Sequence, residues 1–244
     1  MNQLTALELL QAWEQGLSAS PVRRALCLLA IAFPEYAWAD LTQLSIGRRD
    51  ALLLTLREWL FGTQLASVAT CPNCGERLEF TFAVADVQVP HTPLIPAESI
   101  LQVDDYTVRF RLPNSLDLEA AASCQNPAAL QQQLLQRCLL AASRQETDCE
   151  LATLPETVRA AIAARMAQDD PQADVQIALT CPACHHQWQA TFDIVHFLWN
   201  ELHAWAQRTL IDVHRLALAY GWREADILAM SPQRRQFYLG MVNP

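Results

Sequence analysis

Hydrophobic residues in the first seventy positions recur at helical intervals. An apolar face near the N-terminus combines Leu4, Leu7, Leu10 and Trp13. Ser20 followed by Pro21 is a typical helix start, and the apolar stretch that follows ends before Pro34. A further helix is predicted from about Arg48 to Leu60, with Gly62 as its stop. These patterns predict a small helical layer.

After this layer the hydrophobic period changes to two. Short segments rich in Val, Phe, Thr and Tyr predict strands at 65–69, 78–84, 86–89, 100–103 and 106–112. Helical signals return from Ser115, from Asn126 to about Ala142, and from Pro155 to about Ala167. Strands are predicted again at 174–180 and 188–192. The remainder is predicted to be one long helix to Tyr220 and two short ones, the last opened by Ser231 and Pro232.

The expected fold class is α+β and mostly helical. Two Cys-x-x-Cys motifs, Cys71 with Cys74 and Cys181 with Cys184, predict a four-cysteine zinc ribbon. Helical N- and C-terminal layers are expected to be joined by this ribbon, which carries a mixed strand and helix insertion. The expected regions are an N-terminal helical region (1–70), a split ribbon (71–84 and 175–192), an acidic insertion (85–174) and a C-terminal helical region (193–244).

The charge is unevenly distributed along the 244 residues, which have a net charge of −9. Residues 71–192 contain seven arginines and fifteen acidic residues, so the acidity is concentrated there. An acidic surface repels phosphate backbones, which argues against a nucleic-acid partner. No apolar run approaches the length that spans a membrane, and Glu8 and Glu14 occupy positions where a signal peptide would be basic. We therefore expect a cytoplasmic protein.

Two Cys-x-x-Cys motifs are the strongest chemical signal. Cys71 and Cys74 form one pair, Cys181 and Cys184 form the other, and each pair lies between two predicted strands. Two residues between cysteines let both thiolates bind one tetrahedral ion at about 2.3 Å. The duplicated motif predicts one structural zinc ion with four cysteine ligands.

The two motifs are far apart, because the 106 residues from 75 to 180 lie between them. A metal bound by both pairs would therefore close a long loop. His185 takes the place that Gly75 has in the first motif, and either His185 or His186 could replace a cysteine as ligand. Two other interpretations remain open for the pairs: buried, metal-free thiols and a dithiol redox switch. The remaining cysteines, at 27, 124, 138 and 149, have no spacing that suggests a site.

Enzyme signatures are missing, so no catalytic residue is predicted. Only six glycines are present, and no phosphate-binding loop, Gly-x-Ser-x-Gly motif or His-Glu-x-x-His motif occurs. Acidic pairs at 104–105, 148–150 and 169–170 are expected to lie in solvated turns. His196, His203 and His214 share roughly one face of the long helix, and we expect ordinary helix histidines rather than metal ligands.

The C-terminal region offers a candidate partner surface. The long helix has a wide apolar stripe, most of which is interpreted as core: Phe197, Leu198, Leu202, Trp205, Leu210, Val213 and Leu216. Tryptophan and arginine dominate interface hot spots, so an exposed remainder of the stripe is expected near Trp199 and Trp222. The predicted partner-binding residues are Trp222, Arg234, Arg235, Phe237 and Tyr238. Each of them also has an ordinary interpretation as core or solvated charge.

Several segments together resemble the baseplate hub assembly chaperone family of T-even-like phages, whose relatives occur with bacterial contractile injection systems. The similar segments are 44–54, 56–58, 61–62, 71–80, 170–174, 181–184, 188, 192–194, 220–222, 227–228 and 234–239. The family usually has glycine at the position of His185. The resemblance implies a non-enzymatic protein that assembles, or remains in, the baseplate of a contractile tail and binds baseplate or hub subunits. A zinc-ribbon module associated with nucleic acid and a Cys-x-x-Cys redox protein are the alternatives.

Overall fold

The computed structural model describes residues 4–90, 97–124, 126–145, 147–150 and 153–242. The fold class is α+β, with many helices and three small antiparallel sheets among these residues. The chain divides into two compact units, one formed by Met1–Ala37 with Ile194–Pro244 and the other by Trp38–Asp193. Among the described residues, none of the helices combines the length and apolar character needed to cross a membrane.

The first unit is helical. Its helices are α1 (Ala6–Gly16), α2 (Pro21–Ala32), α9 (Ile194–Tyr220), α10 (Glu224–Leu228) and α11 (Pro232–Val242). Thr5 and Glu8 form a capping box at the start of α1, in which the Thr5 N–H donates to Glu8 at 2.8 Å. Ser20 caps α2, with proline at the first helical position as predicted.

The long helix α9 supplies much of the core of this unit. The buried cluster consists of Leu10, Ala206, Val213, Leu216, Ile227 and Leu228. Trp199 is 7% exposed, lies against Gly16 where no Cβ would fit, and has the guanidinium of Arg24 4.4 Å above its ring. The expectation of an exposed surface near Trp199 is therefore wrong, because the side chain faces α1 and α2. His203 accepts a hydrogen bond from the Trp13 indole at 3.0 Å.

The second unit combines two separate hairpins, a four-stranded sheet and six helices among its described residues. Its helices are α3 (Trp38–Gln43), α4 (Ile46–Phe61), α5 (Val84–Val87), α6 (Ser115–Ala121), α7 (Pro127–Cys138) and α8 (Glu156–Asp169). The hairpins are β1 (Gln64–Thr70) with β2 (Arg77–Ala83), and β7 (Val175–Thr180) with β8 (Gln187–Phe192). The sheet has the order β3 (Ser99–Val103), β4 (Tyr106–Phe110), β5 (Leu139–Arg144) and β6 (Thr147–Asp148).

Two predicted elements differ from the structure. The strand predicted at 86–89 is replaced by α5, because the Asp86 carboxylate accepts the Ala83 N–H at 2.8 Å and closes a helical turn. The helix predicted to reach Ala142 ends at Cys138, and the following residues form β5. Pairing with β4 thus overrides the helical preference of these leucines and alanines.

The four-stranded sheet has its own hydrophobic core. One face packs against α7 and α8 through Val108, Phe110, Leu135, Leu139, Ala142, Leu154, Val158 and Ile162. Beside it, the Asp117 carboxylate is 1% exposed and bridges Arg111, with a shortest contact of 2.5 Å, and Arg137 at 2.9 Å. Burial opposes ionisation of Asp117, but hydrogen bonds from Arg111, the Asn114 N–H and Arg137 prevail and lower its pKa. This network fixes the start of α6 against the end of α7.

A turn at residues 170–173 connects distant parts of the unit. Asp170 is 5% exposed, and its carboxylate accepts the N–H of Gly47 in the first turn of α4 at 2.8 Å. Gln172 accepts the Val89 N–H at 2.7 Å and donates to the Val87 carbonyl at 3.1 Å. The expectation that Asp169 and Asp170 lie in a solvated turn is wrong for Asp170. Burial raises its pKa, and the Gly47 N–H partly offsets this effect.

Gly47 is required by this contact, which leads to a test. A Cβ at position 47 would overlap the Asp170 carboxylate and lie 2.9 Å from the Ala173 nitrogen. We expect Gly47→Ala to lower the free energy of unfolding by about 3 kcal/mol, as overpacking does in rigid sites. Urea denaturation followed by circular dichroism measures the change.

The matched control is Gly240→Ala, since Gly240 lies in α11 with no atom within 4 Å of an added Cβ. This variant should be unchanged or slightly more stable, because alanine favours helix. Equal stability of Gly47→Ala and the wild type would contradict the packing described for the 170–173 turn.

Candidate metal centre

The two Cys-x-x-Cys motifs form the tips of two equivalent hairpins. In the first, Thr70 pairs with Arg77, and in the second, Thr180 pairs with Gln187. Each hairpin therefore has six residues between the last two residues that pair. The cysteines are the first and fourth of these six residues in both hairpins. The prediction that each motif lies between two strands is confirmed.

The backbone of the two turns is also the same. The Cys71 N–H donates to the Glu76 carbonyl at 2.8 Å, and the Gly75 N–H donates to the Cys71 carbonyl at 3.0 Å. The corresponding bonds of the second turn, from Cys181 to His186 and from His185 to Cys181, are both 2.9 Å. Gly75 has φ 78° and His185 has φ 57°, so both adopt the left-handed conformation. His185 thus takes over the backbone role of a glycine.

The two tips bring all four cysteines together. The sulfur atoms of Cys71 and Cys184 are 3.7 Å apart, and those of Cys74 and Cys181 are 3.5 Å apart. All four sulfurs lie within 4.8 Å of one another. Four thiolates at about 2.3 Å from one tetrahedral ion would lie about 3.8 Å apart, so the donor set and its spacing fit a metal ion.

A hydrogen bond from a neighbouring side chain favours the thiolate form of one sulfur. The Asn73 amide donates to the Cys184 sulfur at 3.5 Å, across from the opposite hairpin. This bond, together with the His186 N–H, lowers the pKa of the Cys184 thiol to about 6. Thiolates are the ligand form of cysteine, so Asn73 favours the state that a metal needs. Sequence reasoning identified the cysteines but not Asn73, whose position inside the first motif was the available signal.

Aromatic side chains pack the hairpins together behind the cysteines. Phe82 of the first hairpin meets Phe192 of the second edge-to-face, with ring centroids 5.4 Å apart. Phe80 stacks on Phe82 at 5.7 Å. These contacts hold the strands that position the cysteines, so part of the geometry is independent of a bound ion.

The remaining cysteines and histidines lie outside this cluster. Cys138 is buried beside Asp117, and Cys124 donates to the Gln133 side chain at 2.7 Å. His186 stacks on Trp188 with ring centroids 6.1 Å apart, and His185 is exposed. Within the described part of the chain, the group close enough to hold a metal consists of the four cysteines alone.

The predicted partner residues of the tail have different environments. Trp222 is half-buried and stacks on Tyr220 at 4.4 Å, with Tyr238 edge-on at 4.9 Å. Phe237 is 69% exposed, and Arg234 is exposed with its guanidinium 5.7 Å from the Tyr238 ring. Arg235 is only 5% exposed, so its interpretation as a solvated surface charge is wrong. The helical period places it on the inner face of α11.

The fold and the cysteine cluster define a protein with a candidate structural metal centre. This centre is built from two hairpins that are distant in sequence. A scan of protein families matches residues 34–199 to the family described as T4 bacteriophage base plate protein. The match covers more than half of the chain and includes both cysteine pairs, so the chain belongs to this family. Searches of curated proteins and of solved structures gave no match.

The left-handed residues of the two turns allow a paired test. Gly75→Ala places a Cβ on a residue with positive φ and should lower the free energy of unfolding by about 1 kcal/mol, whereas His185→Gly should raise it by a similar amount. Neither change removes a sulfur. Thermal unfolding of both variants beside the wild type measures the effect.

Opposite signs at the two positions are the expected outcome. If His185→Gly were as destabilising as Gly75→Ala, the His185 side chain itself would be stabilising the turn. That result would contradict a purely backbone role for this residue.

Proposed function

We propose that this protein is a non-enzymatic assembly factor or structural component of the baseplate of a contractile tail, held in shape by one zinc ion. The match of residues 34–199 to the base plate family is the observation that carries the proposal. Its partners would be other baseplate or hub subunits of a phage tail or of a contractile injection system. The protein acts either during assembly or as part of the finished particle.

The proposed role of zinc is structural. Four cysteine ligands complete a tetrahedral site and leave no open position for a substrate or an activated water. Cys71 and Cys181 are buried, as expected for ligands of a closed site. We propose that residues 71–84 and 175–192 act together as one split ribbon, with Cys71, Cys74, Cys181 and Cys184 as its ligands.

The C-terminal tail is the proposed partner surface. Phe237 and Met241 lie one helical turn apart on α11 and are 69% and 53% exposed. Arg234 lies on the same helix with its guanidinium 5.7 Å from the Tyr238 ring, and Trp222 packs edge-on against that ring. An exposed aromatic ring beside an arginine is the usual composition of an interface anchor.

Two alternative functions are less well supported. A nucleic-acid module would need basic side chains near the hairpin tips, but Glu76 and Glu79 are exposed there beside Arg77. A redox pair of the thioredoxin type would lie at the N-terminus of a helix, whereas both motifs here lie between strands. Sulfur contacts also join the two hairpins, which suits a shared ion better than two separate dithiols.

Metal analysis tests the zinc proposal. We expect one zinc per chain in protein purified without added metal, and loss of that zinc in Cys181→Ser. Removing one thiolate should also lower the melting temperature by more than 10 °C, because metal binding contributes directly to folding.

Cys149→Ser is the matched control, since Cys149 lies outside the four-cysteine cluster and should leave zinc content unchanged. Native protein that contains no metal, and keeps its stability when all four cluster cysteines are changed to serine, would contradict a structural zinc.

Capture of baseplate subunits tests the tail surface. The double variant Arg234→Glu with Phe237→Ala should keep its fold and zinc, because both side chains are exposed, but should bind purified baseplate or hub subunits at least tenfold more weakly. Surface plasmon resonance with each subunit measures the affinity.

The control is Arg77→Glu, an exposed arginine on β2 whose change should leave capture unaffected. Unchanged affinity of the tail double variant for every subunit that the wild type binds would exclude this surface as the contact.

A further inference from the structure

A groove between α9 and α11 contains an unusual concentration of arginine. Its volume is about 380 Å³. The lining residues are Trp205, Arg208, Thr209, Ile211, Asp212, Arg215, Pro232, Arg235 and Gln236. Three guanidinium groups thus face one carboxylate within a protein that is acidic as a whole.

Arg235 is the innermost of the three arginines. It is 5% exposed, and its Nη1 atom is buried without a hydrogen-bond partner. Burial lowers the pKa of its guanidinium, and the charge of Asp212 only partly offsets this effect. A buried charged group without a hydrogen-bond partner is costly, so an anion bound in the groove would stabilise this guanidinium through its charge.

The other two arginines are exposed and also lack an acidic partner. Arg208 and Arg215 are seven residues apart on α9, on the same face of the helix. Within the described part of the chain neither of them forms an ion pair. Asp212 lies between them but accepts the Gln236 amide at 3.3 Å, so its carboxylate is already engaged at the edge of the groove.

The remaining lining favours one kind of anion. Trp205 and Pro232 supply apolar surface, and Ile211 is 51% exposed. A side chain or chain end with an apolar body and a single negative charge can cover this surface, whereas a free phosphate cannot. Asp212 would also repel a phosphate dianion more strongly than a singly charged carboxylate.

We propose that the groove binds a carboxylate of an acidic, leucine-containing protein segment through Arg208, Arg215 and Arg235. The planar guanidinium group matches a carboxylate in a two-point contact, and the apolar walls take the neighbouring side chain. The groove is separate from the exposed ring of Phe237. Its binding chemistry does not depend on the four-cysteine cluster or on the identity of a baseplate partner.

The experiment uses the full chain and a fluorescent hexapeptide in which leucine alternates with glutamate. Its counterpart with glutamine in place of glutamate reports binding without charge. Fluorescence anisotropy at constant ionic strength should show binding of the acidic peptide only. We expect Arg208→Gln and Arg215→Gln each to weaken this binding about tenfold, and Arg235→Met to weaken it at least as much.

Arg77→Gln is the matched control, because it removes the same charge from an exposed arginine on β2 that lies outside the groove lining. It should change the affinity less than twofold. If Arg235→Met does not fold, Arg208→Gln and Arg215→Gln still test the proposal, because both side chains are exposed.

Three outcomes would overturn the proposal: equal binding of both peptides, equal weakening by Arg77→Gln, or displacement of the acidic peptide by millimolar phosphate as effectively as by the unlabelled peptide. Failure of the zinc or subunit-capture experiments would leave the peptide result unaffected, so the two proposals are tested separately.

Discussion

The second unit depends on the contact between the tips of its two hairpins. Cys74 and Cys181 are 107 positions apart in sequence, yet their sulfurs are 3.5 Å apart. Closing a loop of this length costs about 4 kcal/mol of chain entropy. The Phe82–Phe192 contact offsets part of that cost, and metal bonds to four thiolates would exceed it. The cysteine cluster and the aromatic contact therefore stabilise the same loop closure through two different kinds of interaction.

The 170–173 turn also holds the two ends of this long loop together, and it does so through hydrogen bonds. Asp170 reaches α4 and Gln172 reaches the segment after β2, just before β7 leads to the second pair of cysteines. Closure in this unit is thus shared among a carboxylate, an amide, aromatic rings and sulfur. Because these contacts close overlapping loops of the same chain, forming one lowers the entropic cost of forming the others. Such coupling gives a structural reason for the burial of polar residues at 170 and 172.

Local sequence signals predicted much of this structure. They failed where the conformation or burial of a residue depends on partners that are distant in sequence. Caps and periodicity located α2, α4, α9 and both hairpins, and spacing alone grouped the four cysteines, because these signals act over a few residues. The end of α7 was wrong because β4 pairs with Leu139 onward, a long-range effect. Asp170 and Asn73 were misjudged or missed because their partners lie 123 and 111 positions away. Arg235 was misjudged because α11 packs against the distant helix α9, which buries this side chain. No local pattern contains that information.

The hydrogen bonds of Gln172 have a consequence for how this chain can vary. They join the point where the chain leaves the first hairpin region to the point where it returns, with Val89 and Gln172 2.7 Å apart. The chain between these two residues therefore starts and finishes at one place, and its described part contains its own hydrophobic core. We expect insertions or deletions within this segment to leave the two hairpins in place, because the hydrogen bonds of Gln172 hold its two ends together.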